Sequence, residues 1–157
     1  RATAPFLASG YFTEEQESRA CELLEEAADR KLFRVLLIHH PPVRGATGQH
    51  KRLFGISRFQ SMVRKYGAEL VLHGHTHLPT VHRIDGSNGA SVPVVGVAAA
   101  GQAHGAALPA AHYNLFEIMG APGTWQVQLT RRGVAEPGGK VVQLSTQWLI
   151  STDRTPA

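Results

Sequence analysis

The sequence predicts an α/β fold, and three observations carry that prediction. Two short apolar runs, residues 33–38 and 69–72, each follow a segment of helical periodicity, so helix and strand alternate as in a layer of parallel strands. The first run is continuous rather than alternating, the pattern of a strand covered on both faces. Beyond residue 77 the texture changes to strands separated by glycine- and proline-bearing turns. The 157 residues are enough for one domain with a real core and too few to expect two, so residues 1–157 are read as a single domain.

Residues 1–12 read as an extended, apolar lead-in. Thr13-Glu14-Glu15-Gln16 has the form of a capping box, in which the Thr13 hydroxyl and the Gln16 amide satisfy free N–H groups at a helix start. The helix is expected over residues 13–31, with Ala20, Leu23, Leu24, Ala27 and Ala28 as its apolar stripe and Arg30 and Lys31 late, where the helix dipole favours cations. Cys21 lies beside the stripe as a small core residue. The strand of residues 33–38 follows. Pro41-Pro42 then forbid a regular ladder or helix interior, and a glycine-bearing loop covers residues 43–52. Phe59, Met62, Val63 and Tyr66 stand at i, i+3, i+4 and i+7, which predicts a helix over residues 57–66 with Gly67 as its C-terminal cap.

A second buried strand is expected over residues 69–72. Residues 80–84 and 92–97 flank Asp85-Gly86-Ser87-Asn88-Gly89, a hairpin signal. Residues 98–111 carry too many glycines for a helix and are read as a loop. Further strands are expected over residues 112–119, 124–131 and 140–150, and the tail from residue 151 is read as loose.

Composition excludes several classes. Hydrophobic residues make up 43% and charged residues 18%, which is globular rather than disordered. The longest apolar stretch falls far short of a membrane span, and residues 1–10 lack the order of a secretory signal. Cys21 is the single cysteine, so no internal disulfide forms and a reducing cytoplasm is the simpler assumption. The net charge of +4 favours anionic substrates without the dense Lys/Arg clustering of a nucleic-acid footprint. Basic residues gather between Arg44 and Arg58. That gathering reads as a solvated loop, with a phosphate-attracting rim as its sharper alternative.

The chemistry concentrates at two strand ends. One run passes into His39-His40-Pro41-Pro42, the other into His73-Gly74-His75-Thr76-His77. If the second segment stays extended, His75 and His77 face one side, roughly 6–7 Å apart at Cα, a spacing that suits two ligands of one metal or a close metal pair. His73 precedes the glycine on the buried strand and reads as a core histidine. His50, His82, His104 and His112 have no partner at a recognisable spacing, and Trp125 and Trp148 read as packing residues on late strands.

With these two motifs at this separation, the chain resembles the C-terminal half of the calcineurin-like metallophosphoesterases. The segment around Glu15-Gln16 also looks like the one that precedes the first histidine strand in that family. The resemblance implies part of a four-layer αββα sandwich, mixed β-sheets flanked by helices, with two divalent metal ions, Mn, Fe or Zn, between strand ends. It implies His39, His75 and His77 as metal ligands, and His40 in the outer shell, holding a ligand or touching phosphate. Arg44 is a candidate for a substrate phosphate, because its planar fork matches phosphate oxygens.

The implied activity is hydrolysis of phosphomonoester or phosphodiester bonds by metal-activated hydroxide. A phosphate ester is the implied substrate; a membrane is not, and nucleic acid is not specifically indicated. The family's Asp-x-His, Gly-Asp and Gly-Asn-His-acid motifs do not occur in the chain. The resemblance therefore implies an N-terminal half that brings the acidic ligands, as a removed segment or a separate chain, and little activity from this polypeptide alone. Two other readings remain beside it: a non-catalytic interaction module that retains the fold, and a mononuclear three-histidine zinc hydrolase with an open position.

Overall fold

The structure, a computed structural model, describes residues 8–151. In chain order its elements are β1 (Gly10–Tyr11), α1 (Glu14–Asp29), β2 (Val35–Ile38), β3 (Leu53–Phe54), α2 (Ile56–Tyr66), β4 (Leu70–His73), β5 (Val81–Asp85), β6 (Ser91–Gly96), β7 (His112–Met119), β8 (Gln126–Val134) and β9 (Val141–Ile150). The class is mixed α/β. No described helix is long and apolar enough to cross a membrane. Most of the expected lead-in, residues 1–7, and the tail from residue 152 lie outside the described residues.

The described residues divide into two compact units, residues 8–76 with 80–96 and residues 77–79 with 97–151. In the first, β2, β4, β6 and β5 form a four-stranded sheet in that order. Strands β2, β4 and β6 run parallel, and β5 returns antiparallel to β6 through the expected hairpin. The reversal uses left-handed backbone at Asn88 (φ 54°) and Gly89 (φ 74°), conformations that these two residue types tolerate best.

One sheet face carries Leu36, Ile38, Val71, Ile84, Val92 and Val94 into the core, where they meet Leu24 of α1 and Phe59, Met62 and Val63 of α2. Each fully buried side chain of this kind contributes about 1.5–3 kcal/mol, so α2 with three of them is held firmly. Its cap is Gly67 at φ 80°, whose N–H donates to Val63 O, as its position predicts.

The capping box of α1 forms in full. Thr13 Oγ1 accepts from Gln16 N, and Gln16 Oε1 accepts from Thr13 N at 3.0 Å. The helix stops at Asp29 rather than 31. Arg30 is the C-cap and Lys31 turns left-handed at φ 56°, with Lys31 N and Leu32 N closing onto Ala28 O and Ala27 O. Of the expected stripe, Leu24 is buried, whereas Leu23 is 65% exposed.

Strand β2 departs further from expectation. It is an edge strand, and Leu37 is 80% exposed. The side chains of Leu36 and Ile38 reach the core while the alternate ones do not, because a strand's two faces have different neighbours. An apolar run reports what a strand can be covered with, not what covers it here.

In the second unit β7, β8 and β9 form an antiparallel sheet. Val127, Leu129 and Leu149 are buried, whereas Trp148 is 47% exposed and so is not the packed residue expected of it. Residues 98–111 contain no helix or strand.

Candidate metal centre

Two parallel strands deliver the histidines. Ile38 pairs with His73 at the last register position of β2 and β4, so His39 and Gly74 leave the sheet side by side. Gly74 N–H donates to the His39 carbonyl at 3.1 Å, tying the two strand ends together one residue past the ladder. His73 is buried, with Nδ1 donating to Gly74 O at 2.9 Å and Nε2 3.4 Å from Thr80 Oγ1. Burial in turn pushes its pKa below the ordinary value, as befits a neutral core histidine.

The segment after Gly74 is not extended. His75 and His77 both take left-handed backbone, at φ 62° and 57°, so the i, i+2 geometry of a strand does not apply to them. Thr76 N–H donates to Gly74 O at 2.7 Å, a tight turn that swings His75 back toward β2. His77 is counted with the second unit.

Among the described residues, the group able to hold a metal ion is His39, His40 and His75, whose ligand-capable nitrogens all lie within 4.8 Å of one another. His39 Nε2 is 3.2 Å from His75 Nδ1. The ring of His40 is 4.1 Å from that of His75 and 4.9 Å from that of His39, centroid to centroid. His40, expected in an outer shell, is thus as close to His75 as His39 is. Its Nε2–H donates to Ala8 O at 2.8 Å, which puts the proton on Nε2 and leaves the lone pair on Nδ1. A backbone acceptor behind the ring is the usual support of a metal-binding imidazole.

Glycine makes room for this ring. A Cβ on Gly10 would sit 2.5 Å from His40 Nδ1, so only Gly lets β1 pass so near. That strand is itself held by β3, with Gly10 paired to Leu53 and Gly10 N–H donating to Arg52 O at 3.1 Å. Two-residue strands leave no periodicity in a sequence, and neither β1 nor its support of His40 was visible there.

Electrostatics favour the ligating form. The pKa of His75 is lowered to about 4, chiefly because burial disfavours its charge and then because His40 and His39 would repel it; the nearby Lys51 backbone opposes this in part. The ring is therefore neutral at physiological pH, the state that binds metals. His75 Nε2 is buried without a hydrogen-bond partner among the described residues, while its other nitrogen, Nδ1, lies within hydrogen-bond distance of His39 Nε2 and is the one placed to share an ion with it.

The donor set fits a small divalent cation. Nitrogens bound tetrahedrally at ~2.0–2.1 Å stand roughly 3.3 Å apart, close to the 3.2 Å between His39 and His75. Neutral imidazoles suit Zn, Fe and similar ions. The group contains no carboxylate. Of the acids nearest in sequence, Glu69 is engaged by Arg34 and Asp85 by Arg64. Arg44, the candidate phosphate contact, is an exposed loop residue whose Nη2 donates to Ser57 Oγ.

No protein-family model matches the chain, and no curated protein matches it significantly.

Proposed function

We propose that this chain supplies the imidazole ligands of a metal-dependent phosphoesterase. The observation that carries the reading is the convergence of His39, His40 and His75 at the carboxyl ends of two adjacent parallel strands, where α/β sheets commonly build their sites. In this reading the described helices are one outer layer of a four-layer αββα sandwich. His39 and His75 hold a divalent cation, and His40 either joins them or holds the phosphate ester.

A cation held there supplies Lewis-acid activation of water and of the phosphoryl oxygens. The chain's own contribution is to keep His75 neutral and the three rings oriented and close. Three neutral imidazoles bring no negative charge, and a close metal pair needs a bridging anion to offset its repulsion. We therefore assign the carboxylate ligands to a preceding segment or a separate chain. The open edge of β2 and its exposed Leu37 support such a neighbour, since parallel strands are normally interior to a sheet.

The all-nitrogen composition of the trio favours one other reading, a mononuclear zinc site with an open position. The two separate in one experiment. Metal analysis and hydrolysis of bis(p-nitrophenyl) phosphate are measured for the chain alone and for the chain joined to a segment carrying acidic ligands. The half-site reading expects weak binding of at most one metal and little turnover until the acids are supplied. One tightly bound zinc with full turnover from the chain alone selects the mononuclear enzyme. Metal binding that survives loss of both His39 and His75 ends both readings.

A further inference from the structure

Between Pro42 and the first turn of α2 the chain folds around a cavity of about 470 Å³, within the usual size range of small-ligand sites. Arg44 and Arg52 are its charged lining, Thr47, Gln49 and Ser57 its neutral polar groups, and Phe54 an aromatic wall. No acidic residue is among the described residues that line it. Arg52 donates to Gln49 Oε1 at 2.6 Å, with its guanidinium 4.5 Å over the Phe54 ring, and Arg44 donates to Ser57.

Both guanidiniums are thus oriented by neutral partners. In the same unit Arg19, Arg30, Arg34, Arg58 and Arg64 each face a carboxylate, whereas Arg44 and Arg52 make no ion pair among the described residues. Two oriented forks with no counter-charge around one cavity suit an oxyanion, which Arg binds through paired N–H groups.

The cavity neighbours the histidine trio without including it. Arg44 follows His40 by four residues, at most about 14 Å of chain. Arg52 follows Lys51, whose backbone lies near His75, and its carbonyl holds Gly10, on which the His40 ring rests. None of the three histidines lines the cavity, so a group held there is not the one under attack.

We infer that Arg44 and Arg52 form an oxyanion subsite for a second, uncleaved anionic group of the substrate, so that the chain selects esters bearing two negative groups. The subsite stands on its own geometry, and its place in a substrate rests on the phosphoesterase reading.

The test uses the full chain freed of metal with EDTA, titrated with inorganic phosphate and, separately, succinate while backbone amide shifts are followed by NMR. Saturable shifts are expected in residues 43–57 for at least one probe, and the stronger one identifies the group as phosphate or carboxylate. The double substitution Arg44→Gln, Arg52→Gln is expected to weaken binding about tenfold or more, with Arg64→Gln, outside the cavity, unchanged. Arg44→Lys with Arg52→Lys keeps the charge and loses the fork, and is expected to fall between.

Absence of saturable shifts in residues 43–57, shifts confined to His39, His40 and His75, or equal affinity in the double Gln variant overturns the subsite. If oxyanion binding persists and a separate titration finds that the trio takes no metal, the phosphoesterase reading fails and the anion site stands without its substrate.

Discussion

His39 Nε2 stands 3.2 Å from His75 Nδ1, and the backbone beneath them is joined by the Gly74 N–H to His39 carbonyl bond. The spacing of the two rings therefore rests on the register of β2 on β4 together with the tight turn at residues 74–76. A cation bridging them should need little reorganisation of the protein. Replacing His39 or His75 by Ala is expected to weaken Zn²⁺ binding by more than about tenfold each, while His82→Ala, on β5, leaves it unchanged. Calorimetric titration, or the visible spectrum of a Co²⁺ substitute, reads this directly. Unchanged affinity in His75→Ala removes that ring from the ligand set.

His75 and His73 give the metal-free protein a pH dependence of defined sign. His75 is held down to about 4 in the folded chain against about 6.5 when unfolded, and His73 shifts in the same direction through burial. Above the unfolded value both states are neutral and stability is fully present. As pH falls from about 6.5 toward 4, the unfolded state takes protons that the folded state refuses, and stability is lost. Urea midpoints at pH 7.5 and 4.5 should show the loss, and His75→Gln should make it smaller. An equal or greater loss in that variant excludes His75 as a contributor.

Gly10 is the neighbour that His40 cannot do without. A methyl group there would fall 2.5 Å from Nδ1, forcing the ring away from Ala8 O and from His75. Gly10→Ala should reduce metal affinity toward that of His40→Ala while costing the fold only about 1 kcal/mol, since β1 is two residues long and few contacts are at stake. NMR shifts of the His40 ring, compared between the two variants, separate displacement from unfolding.

Much of this arrangement is legible in the sequence, and the limits are physical. Thr13 and Gln16, the Phe59–Met62–Val63 stripe and the turn at Asn88-Gly89 all express local rules, so their elements form where the sequence places them. The pairing of β2 with β4 follows from the alternation of helix and strand. What fails is whatever depends on distant partners. The exposure of Leu37 depends on which strand lies beyond β2, the backbone of His75 on a turn that Gly74 permits but does not dictate, and the proximity of His40 on a two-residue strand from the far side of α1. Arg34 and Glu69 belong to the same class: nothing in either residue's neighbourhood announces the other.

Leu37 offers a direct test of the open edge. At 80% exposure on an edge strand it should promote association through β2. Leu37→Lys is expected to shift the sedimentation profile toward monomer, with thermal stability changed by no more than about 0.5 kcal/mol, as for an exposed position. A monomeric wild type would remove the β2 edge from consideration as a docking strand. A large loss of stability in the variant would mean that Leu37 is covered in solution.

The Arg34–Glu69 pair joins the residues that precede β2 and β4. Glu69 accepts from Arg34 N at 2.7 Å, from Nε at 3.0 Å and from Nη2 at 2.7 Å, while Nη1 reaches Tyr66 O at 2.7 Å. The start of β2, the end of α2 and the start of β4 are thereby clamped by one guanidinium, with both side chains about five-sixths buried. Removing one partner leaves the other charge poorly solvated, so Glu69→Ala should destabilise the chain by about 3 kcal/mol. Arg34→Met with Glu69→Leu, which removes both charges, should recover a large part of that loss. Denaturant unfolding of the three variants measures the difference. Metal affinity of the double variant then tests the link to the site: if the clamp fixes the offset of β2 on β4, the His39–His75 spacing loosens and binding weakens even where stability has returned. Unaltered affinity would assign register to the β2–β4 ladder alone.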